Sequence, residues 1–174
     1  MENIVLRADC ARCSALCCVA LAFDQSSLFA IDKASGQTCP NLNACGRCSI
    51  HANRGHHGYQ GCVDFDCFGA GQRVTQEFFG GDSWIEQPSL RKTMSRAFLA
   101  LLRAHECLVL LHQARKLDLA SSDRRRIDRL CAEIECAGIS EELLQALRRE
   151  TLDFLKTLQV YVERNHVTDC ALSS

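Results

Sequence analysis

The stretch Cys10-Ala-Arg-Cys13-Ser-Ala-Leu-Cys17-Cys18 puts four thiols within nine residues, and nine of the thirteen cysteines in this 174-residue chain fall between Cys10 and Cys67. A segment so rich in thiols and so poor in large apolar side chains has little to bury. Its fold must draw on cross-links or on metal coordination. The opening residues, Met-Glu-Asn-Ile-Val-Leu-Arg-Ala-Asp, have neither the basic start nor the apolar run of a secretory signal, and no apolar stretch is long enough to span a bilayer. These features predict a cytoplasmic protein with reduced thiols and no membrane association. The odd cysteine count also weighs against a purely intramolecular disulfide framework. Metal coordination is the favoured expectation.

Composition shifts at Gly80-Gly81-Asp82-Ser83. Residues 1–82 form a thiol-rich, glycine-punctuated module, whereas residues 83–174 are nearly glycine-free and helical in pattern. The expected fold is mainly α: an irregular, metal-stabilised N-terminal module, then an antiparallel helical unit of about three helices joined by short connections, with a short disordered tail after His166. The first helix is expected from Ser89, behind Pro88, to near Leu117. Ser121 or Ser122 caps a second that Gly138 ends, and Ser140 caps a third reaching towards Asn165. Ile127, Leu130, Cys131 and Ile134 share one face of the second; Leu144, Leu147, Phe154 and Leu158 mark the buried side of the third. Within the module, Cys10 to Ala22 fits either a short helix or a chelating turn, His51 to Gly58 a polar loop, and Phe68 to Phe79 a short helix.

The thiols follow the pattern C-x2-C-x3-C-C, then Cys39, then Cys45-x2-Cys48, then Cys62-x4-Cys67. Thiolates are soft donors that select zinc, copper(I) or iron–sulfur clusters over magnesium or calcium. One tetrahedral zinc takes four ligands. Nine thiols plus His51 therefore exceed a single zinc site, which leaves two zinc sites, one iron–sulfur cluster with spare thiols, or a mixture. If the first stretch is helical, Cys10, Cys13 and Cys17 share one face while Cys18, about 100° further round, points elsewhere. Cys17 and Cys18 would then divide between two centres or serve a cluster with several irons. Gly46, between Cys45 and Cys48, suits a metal knuckle. His51 is placed as an additional ligand or a surface side chain, and His56 and His57 as solvent-exposed. Cys107, Cys131 and Cys136 are expected in the helical core, His105 and His112 as core or interface histidines, and Cys170 in the tail.

Cys10, Cys13, Cys17 and Cys18, followed by Cys39-Pro-Asn-Leu and Arg47-Cys48-Ser-Ile-His51, resemble the CxxCxxCC family of zinc- or iron-chelating proteins. The run from Gly61-Cys62 to Asp66-Cys67-Phe-Gly-Ala-Gly-Gln72 is similar to the cysteine-rich segment preceding pentapeptide repeats in some bacterial proteins. The resemblance covers residues 8–80. It implies a ligand set of Cys10, Cys13, Cys17, Cys18, Cys39, Cys48, Cys62 and Cys67, with Cys45 outside it. The flagellin lysine N-methylase family carries a related cysteine motif and is associated with a [4Fe–4S] cluster, so the resemblance implies zinc or iron as cofactor, the latter in a [4Fe–4S] cluster. This chain has no pentapeptide repeat, so a repeat-mediated role does not transfer.

Other signals are weaker. Gly69-Ala-Gly71 lacks the third glycine and the strand of a dinucleotide site; it is better explained by close backbone approach to the thiol core. Asp64 and Asp66 fit amide-capping carboxylates better than an acid/base pair. Asp123 and Asp128 bracket Arg124-Arg125-Arg126, and the formal net charge is −1, so no nucleic-acid partner is expected. No catalytic constellation stands out, which leaves enzymatic activity undecided and slightly disfavoured. The expected function is a metal-binding accessory module whose helices support the core or dock a protein partner. The alternatives are an iron–sulfur redox enzyme or its maturation partner, and a thiol-based redox or metal sensor.

Overall fold

Ala15 interrupts the thiol-rich stretch. Its φ of 53° and ψ of 39° are left-handed, a conformation that costs a residue with a Cβ about 1–2 kcal/mol. In the computed structural model, which describes residues 4–163, Cys10–Arg12 is accordingly a single 3-10 turn. A separate short helix, α1, spans Leu16–Ala20. The continuous helix from Cys10 to Ala22 is not formed; the turn alternative holds for the first two thiols.

The remaining elements are α2 (Gln60–Asp64), α3 (Ala70–Arg73) running into a π-helical turn at Val74–Phe78, and the longer helices α4 (Arg91–Ala114), α5 (Ser121–Cys136) and α6 (Glu141–Thr157). Three further 3-10 turns lie at His51–Asn53, Gly55–His57 and Pro88–Leu90. The structure is mainly helical. Among the described residues, β pairing is limited to two isolated antiparallel bridges, Phe23 with Lys33 and Leu42 with Cys48. No helix among them is long and apolar enough to cross a membrane. The chain divides into two compact units between Leu102 and Arg103, inside α4.

In the first unit, long-range hydrogen bonds replace regular secondary structure. The Asp66 carboxylate accepts from the amides of Ala8 (3.0 Å) and Phe68 (2.7 Å), so it caps amides. Gln72 brackets the chain ahead of Cys10, accepting from Asp9 N–H and donating to Arg7 C=O. Gln76 donates to Arg12 C=O, and Thr75 Oγ1 accepts from the Ser14 amide. Trp84 Nε1 donates to Ser14 C=O at 2.6 Å. One face of α3 and its π-helical turn thus fixes the backbone of the first thiol turn. Each such bond contributes about 0.5–1.5 kcal/mol net, and more is lost when a buried partner is orphaned.

The loop from Leu21 to Gln37 closes on a buried cation. Lys33 is 2% exposed. Its ammonium donates to the carbonyls of Leu21, Ala34 (3.3 Å) and Gln37 (2.9 Å) and lies 5.4 Å from the centre of the Phe23 ring. Phe23 stacks on Phe29 at 4.2 Å and meets Tyr59 edge-on. Burial lowers the Lys33 pKa, and the electrostatic influence of nearby cysteines, Cys39 foremost, opposes that shift.

In the second unit, α5 and α6 pack antiparallel. Tyr161, beyond the end of α6, donates its hydroxyl to Asp123 in the first turn of α5 (2.7 Å), and Arg129 of α5 pairs with Glu150 of α6. Ile127, Leu130, Cys131 and Ile134 of α5 are buried, as are Leu144, Leu147, Thr151 and Phe154 of α6. Gly138, at φ 63°, follows α5 as expected. The cap of α5 differs from expectation, whereas Ser140 takes the expected N-cap place. Ala120 occupies the N-cap of α5, Ser121 already lies inside the helix, and Ser140 stands at the N-cap of α6 without a side-chain cap bond. Asp123, Glu141 and Glu142 place negative charge in the first turns instead. Cys107 and Cys131 are buried, but Cys136 is exposed: it is the last residue of α5, beyond the buried stripe. Cys170 and the expected tail lie outside the described residues.

Candidate metal centre

Cys10, Cys13, Cys17, Cys18, Cys39, Cys48, Cys62 and Cys67 all line one cavity of about 580 Å³. They arrive from several stretches of chain: the 3-10 turn and its exit, α1, the turn after Thr38, the turn after Arg47, α2, and the approach to α3. His51 lines the same cavity. Cys45 is exposed and does not line it, and His56 and His57 are exposed in their 3-10 turn, away from the lining. All twelve cysteines among the described residues are free thiols.

The local folding explains how the thiols converge. On α1, Leu16, Val19 and Ala20 occupy the buried face. At about 100° per residue, Cys17 and Cys18 fall together on the opposite face. Cys18 therefore does not point away from its neighbours. The expectation of a separate Cys18 referred to a face that Cys17 shares with Cys10 and Cys13 on one continuous helix; those two thiols precede α1, and the angle of about 100° between Cys17 and Cys18 is unchanged. Cys17 donates its S–H to the Cys18 sulfur, which drives Cys17 well above the ordinary thiol range. The same bond holds Cys18 down to about 7, helped by Lys33 and Arg54 against burial.

Backbone amides turn towards sulfur at two other positions. Those of Ala15 and Leu16 donate to Cys13, and that of Asn41 to Cys39. The left-handed Ala15 aims the first pair; such amide concavities favour anions. Phe68, at φ 49°, is the other non-glycine left-handed residue among the described ones, and it directly follows Cys67. Gly71 allows a further close approach: a Cβ there would lie 2.7 Å from Cys13 Sγ and 3.7 Å from Cys67 Sγ. Close packing against the thiol core is thus the role of Gly71.

Burial pushes Cys13 and Cys62 up to about 11, and raises Cys10 and Cys39. At neutral pH these groups hold their protons, so loading a cation onto them must expel protons. Arg54 and Asn41, two residues of the lining, each carry a buried polar atom, Nε and Nδ2, with no hydrogen-bond partner among the described residues. Neither residue was singled out as functional from the sequence. Asn41 is a neighbour of the Cys39-Pro pair, and Arg54 sits in a glycine- and histidine-rich loop with no spacing signal of its own.

The donor set, the sulfur-directed amides and the glycine cradle fit a thiolate-bound metal group. They fit a single bare ion less well: among the described residues, no three His, Cys, Asp or Glu side chains gather closely enough around one point to hold it.

A mainly helical fold carrying a thiol-lined cavity is the class of protein these features define. The chain is 36% identical over 169 residues to the uncharacterized protein YybG of Bacillus subtilis (strain 168), an alignment that covers 97% of this chain and 57% of the relative. The chain thus spans little more than half the length of that relative. No family model matches the chain, and no solved structure matches it.

Proposed function

We propose that the protein is a cysteine-rich metal-binding module whose centre is held by thiolates drawn from Cys10, Cys13, Cys17, Cys18, Cys39, Cys48, Cys62 and Cys67. The observation that carries this reading is the convergence of these eight side chains on one cavity. A zinc ion needs four donors about 2.0–2.3 Å from one point, whereas a polynuclear cluster spreads its cysteines over a wider shell. An iron–sulfur cluster is therefore favoured over separate zinc sites. A [4Fe–4S] cluster takes four cysteines, so the set suffices for two clusters, or for one with four thiols in reserve. When bound, such a cluster supplies one-electron chemistry. The protein's own groups hold it, shield it and set its charge environment. His51, at the rim, is a reserve ligand.

A second reading, a redox enzyme built on the same cluster, draws on the size of the cavity. About 580 Å³ lies within the range of small-molecule sites, and Phe23, Phe29, Tyr59 and Phe65 give part of the lining an aromatic wall. A protein partner is proposed for the helical unit, where Leu110, Leu143, Val160 and Val162 are exposed.

The test is anaerobic purification with metal, sulfide and absorption analysis. The expected product is brown, contains iron and sulfide, and absorbs at roughly 400 nm through sulfur-to-iron charge transfer. A colourless protein with stoichiometric zinc would transfer the same ligands to zinc. Protein that binds neither metal, before or after anaerobic reconstitution, would sink the proposal.

A further inference from the structure

We propose that the eight cavity thiols form two four-thiolate centres side by side: Cys10, Cys13, Cys17 and Cys67 hold one, and Cys18, Cys39, Cys48 and Cys62 hold the other. This rests on the metal-binding reading above and deepens it, since that reading leaves the number of centres open.

All eight side chains line one cavity, but the backbone gathers them in two sets. The first set collects around α3. Cys67 precedes that helix, and its carbonyl accepts from the Ala70 amide at 2.9 Å. A Cβ at Gly71 would lie 2.7 Å from Cys13 Sγ and 3.7 Å from Cys67 Sγ, so these two sulfurs are near neighbours across the glycine. The 3-10 turn that starts at Cys10 packs on α3. It is tied at both ends, by Gln72 to Arg7 and Asp9 and by Gln76 to Arg12. The amides of Ala15 and Leu16 donate to the Cys13 sulfur, which puts that sulfur at the end of α1 that carries Cys17.

The second set is linked turn by turn. The Cys39 amide donates to the Cys18 carbonyl at 2.9 Å, and the Leu42 amide donates to the Cys39 carbonyl at 3.0 Å. Leu42 in turn pairs with Cys48 in an antiparallel bridge. From Cys48 the path continues to Cys62. The Cys48 carbonyl accepts from the His51 amide, the Arg54 carbonyl from the Tyr59 amide, and the Tyr59 carbonyl from the Cys62 amide.

The two sets interlock. Cys10, Cys13 and Cys17 are joined by Cys67 from the far end of the module, and Cys39, Cys48 and Cys62 by Cys18 from its near end. Each centre thus takes one ligand from the other's stretch of chain, as the cysteine runs of two-cluster ferredoxins do. Cys17 and Cys18 are the crossing point. On the cavity side of α1 they diverge by about 100°, enough for neighbouring sulfurs to enter different centres. Four thiolates complete one [4Fe–4S] cluster, so two such sets leave none of the eight unused.

The experiment is iron and sulfide analysis of the full-length protein reconstituted anaerobically with iron and sulfide, with electron paramagnetic resonance after reduction by dithionite. About eight irons and eight sulfides per chain are expected, with a reduced-state signal broadened by magnetic coupling between neighbouring clusters. Gly71→Ala crowds only the first set. Half of its iron should therefore pass to a competing ferrous chelator at roughly 10–100-fold lower chelator concentration, while the other half is released as in wild type. Cys67→Ser should alter the same cluster signal as Gly71→Ala, and Cys62→Ser the other one. If either serine variant takes up no iron, the two-step release from Gly71→Ala decides. About four irons per chain in the wild-type protein, or release of all the iron from Gly71→Ala in one step, would overturn the partition while leaving a metal centre standing. Cys62→Ser and Cys67→Ser altering the same signal would do so too. Failure of the wild-type protein to take up iron and sulfide would overturn the metal centre, and the partition with it.

Discussion

Helix α6 buries Leu144, Leu147, Thr151 and Phe154 on one side and exposes Glu141, Glu142, Arg149 and Lys156 on the other. The stretch from Cys10 to Cys18 buries only Ser14 and Leu16. It takes its shape from side chains more than sixty residues away, including Gln76, Thr75 and Trp84. The helix is a local object: its periodicity specifies the face, and burial of that face supplies the stability. The thiol stretch is a non-local object, whose backbone follows from what grips it. The contrast teaches where metal should matter. A region with an apolar stripe of its own can hold together without a ligand, whereas thiols around a shared cavity would, on the proposed reading, lean on a bound centre as well as on these few hydrogen bonds.

The strongest way to break the comparison is to remove the metal. Exhaustive chelation, or Cys13→Ser or Cys17→Ser, is expected to abolish amide-exchange protection around Cys10 to Cys67 while α5 and α6 stay protected. Uniform protection before and after chelation would show that the two regions do not differ in this way. In the opposite direction, Phe154→Ala should destabilise α5 and α6 by about 3–5 kcal/mol, because Phe154 is 1% exposed and lies under the Arg126 guanidinium at 4.7 Å. Denaturant melts and metal analysis on one sample would check that iron stoichiometry stays at the wild-type level.

Gly71→Ala sharpens the contrast more gently. The added Cβ would stand 2.7 Å from Cys13 Sγ, so the thiol must turn away. Helix propensity offsets part of the strain, by about 1 kcal/mol. Metal affinity should nevertheless fall roughly 10–100-fold, as when a group supporting a ligand is lost, measured by competition with a chromophoric chelator. The smallest effect is expected from Cys45→Ser. Its thiol is exposed and outside the cavity lining, so stability should stay within about 0.5 kcal/mol, with metal content unchanged.

Much of α4 to α6 was legible because burial and period agree there. The stripe through Ile127, Leu130, Cys131 and Ile134 lies where the 3.6-residue repeat puts it. The caps were less legible, since Ala120 serves as N-cap with no side-chain bond where Ser121 or Ser122 seemed the better residue. In the thiol module, whether Cys10 and Cys13 share a helix face with Cys17 depended on whether a helix begins at Cys10 or Leu16. That depended on Ala15 adopting a conformation its residue type disfavours. No local propensity signals such a residue; only the sulfur that its amide meets explains it. The same holds for Arg54 and Asn41. Each carries a buried atom without a partner among the described residues, a property of the assembled fold rather than of any spacing.

Lys33 carries a consequence of its own. Its ammonium is caged by the carbonyls of Leu21, Ala34 and Gln37, much as a potassium ion would be, but it is tethered to the chain and cannot diffuse away. The loop that brings Phe23 and Phe29 to the cavity wall therefore carries its own permanent counter-ion. One side of the cavity can thus be in place without any ligand, and acetylation of that single amine would dissolve the cage from within.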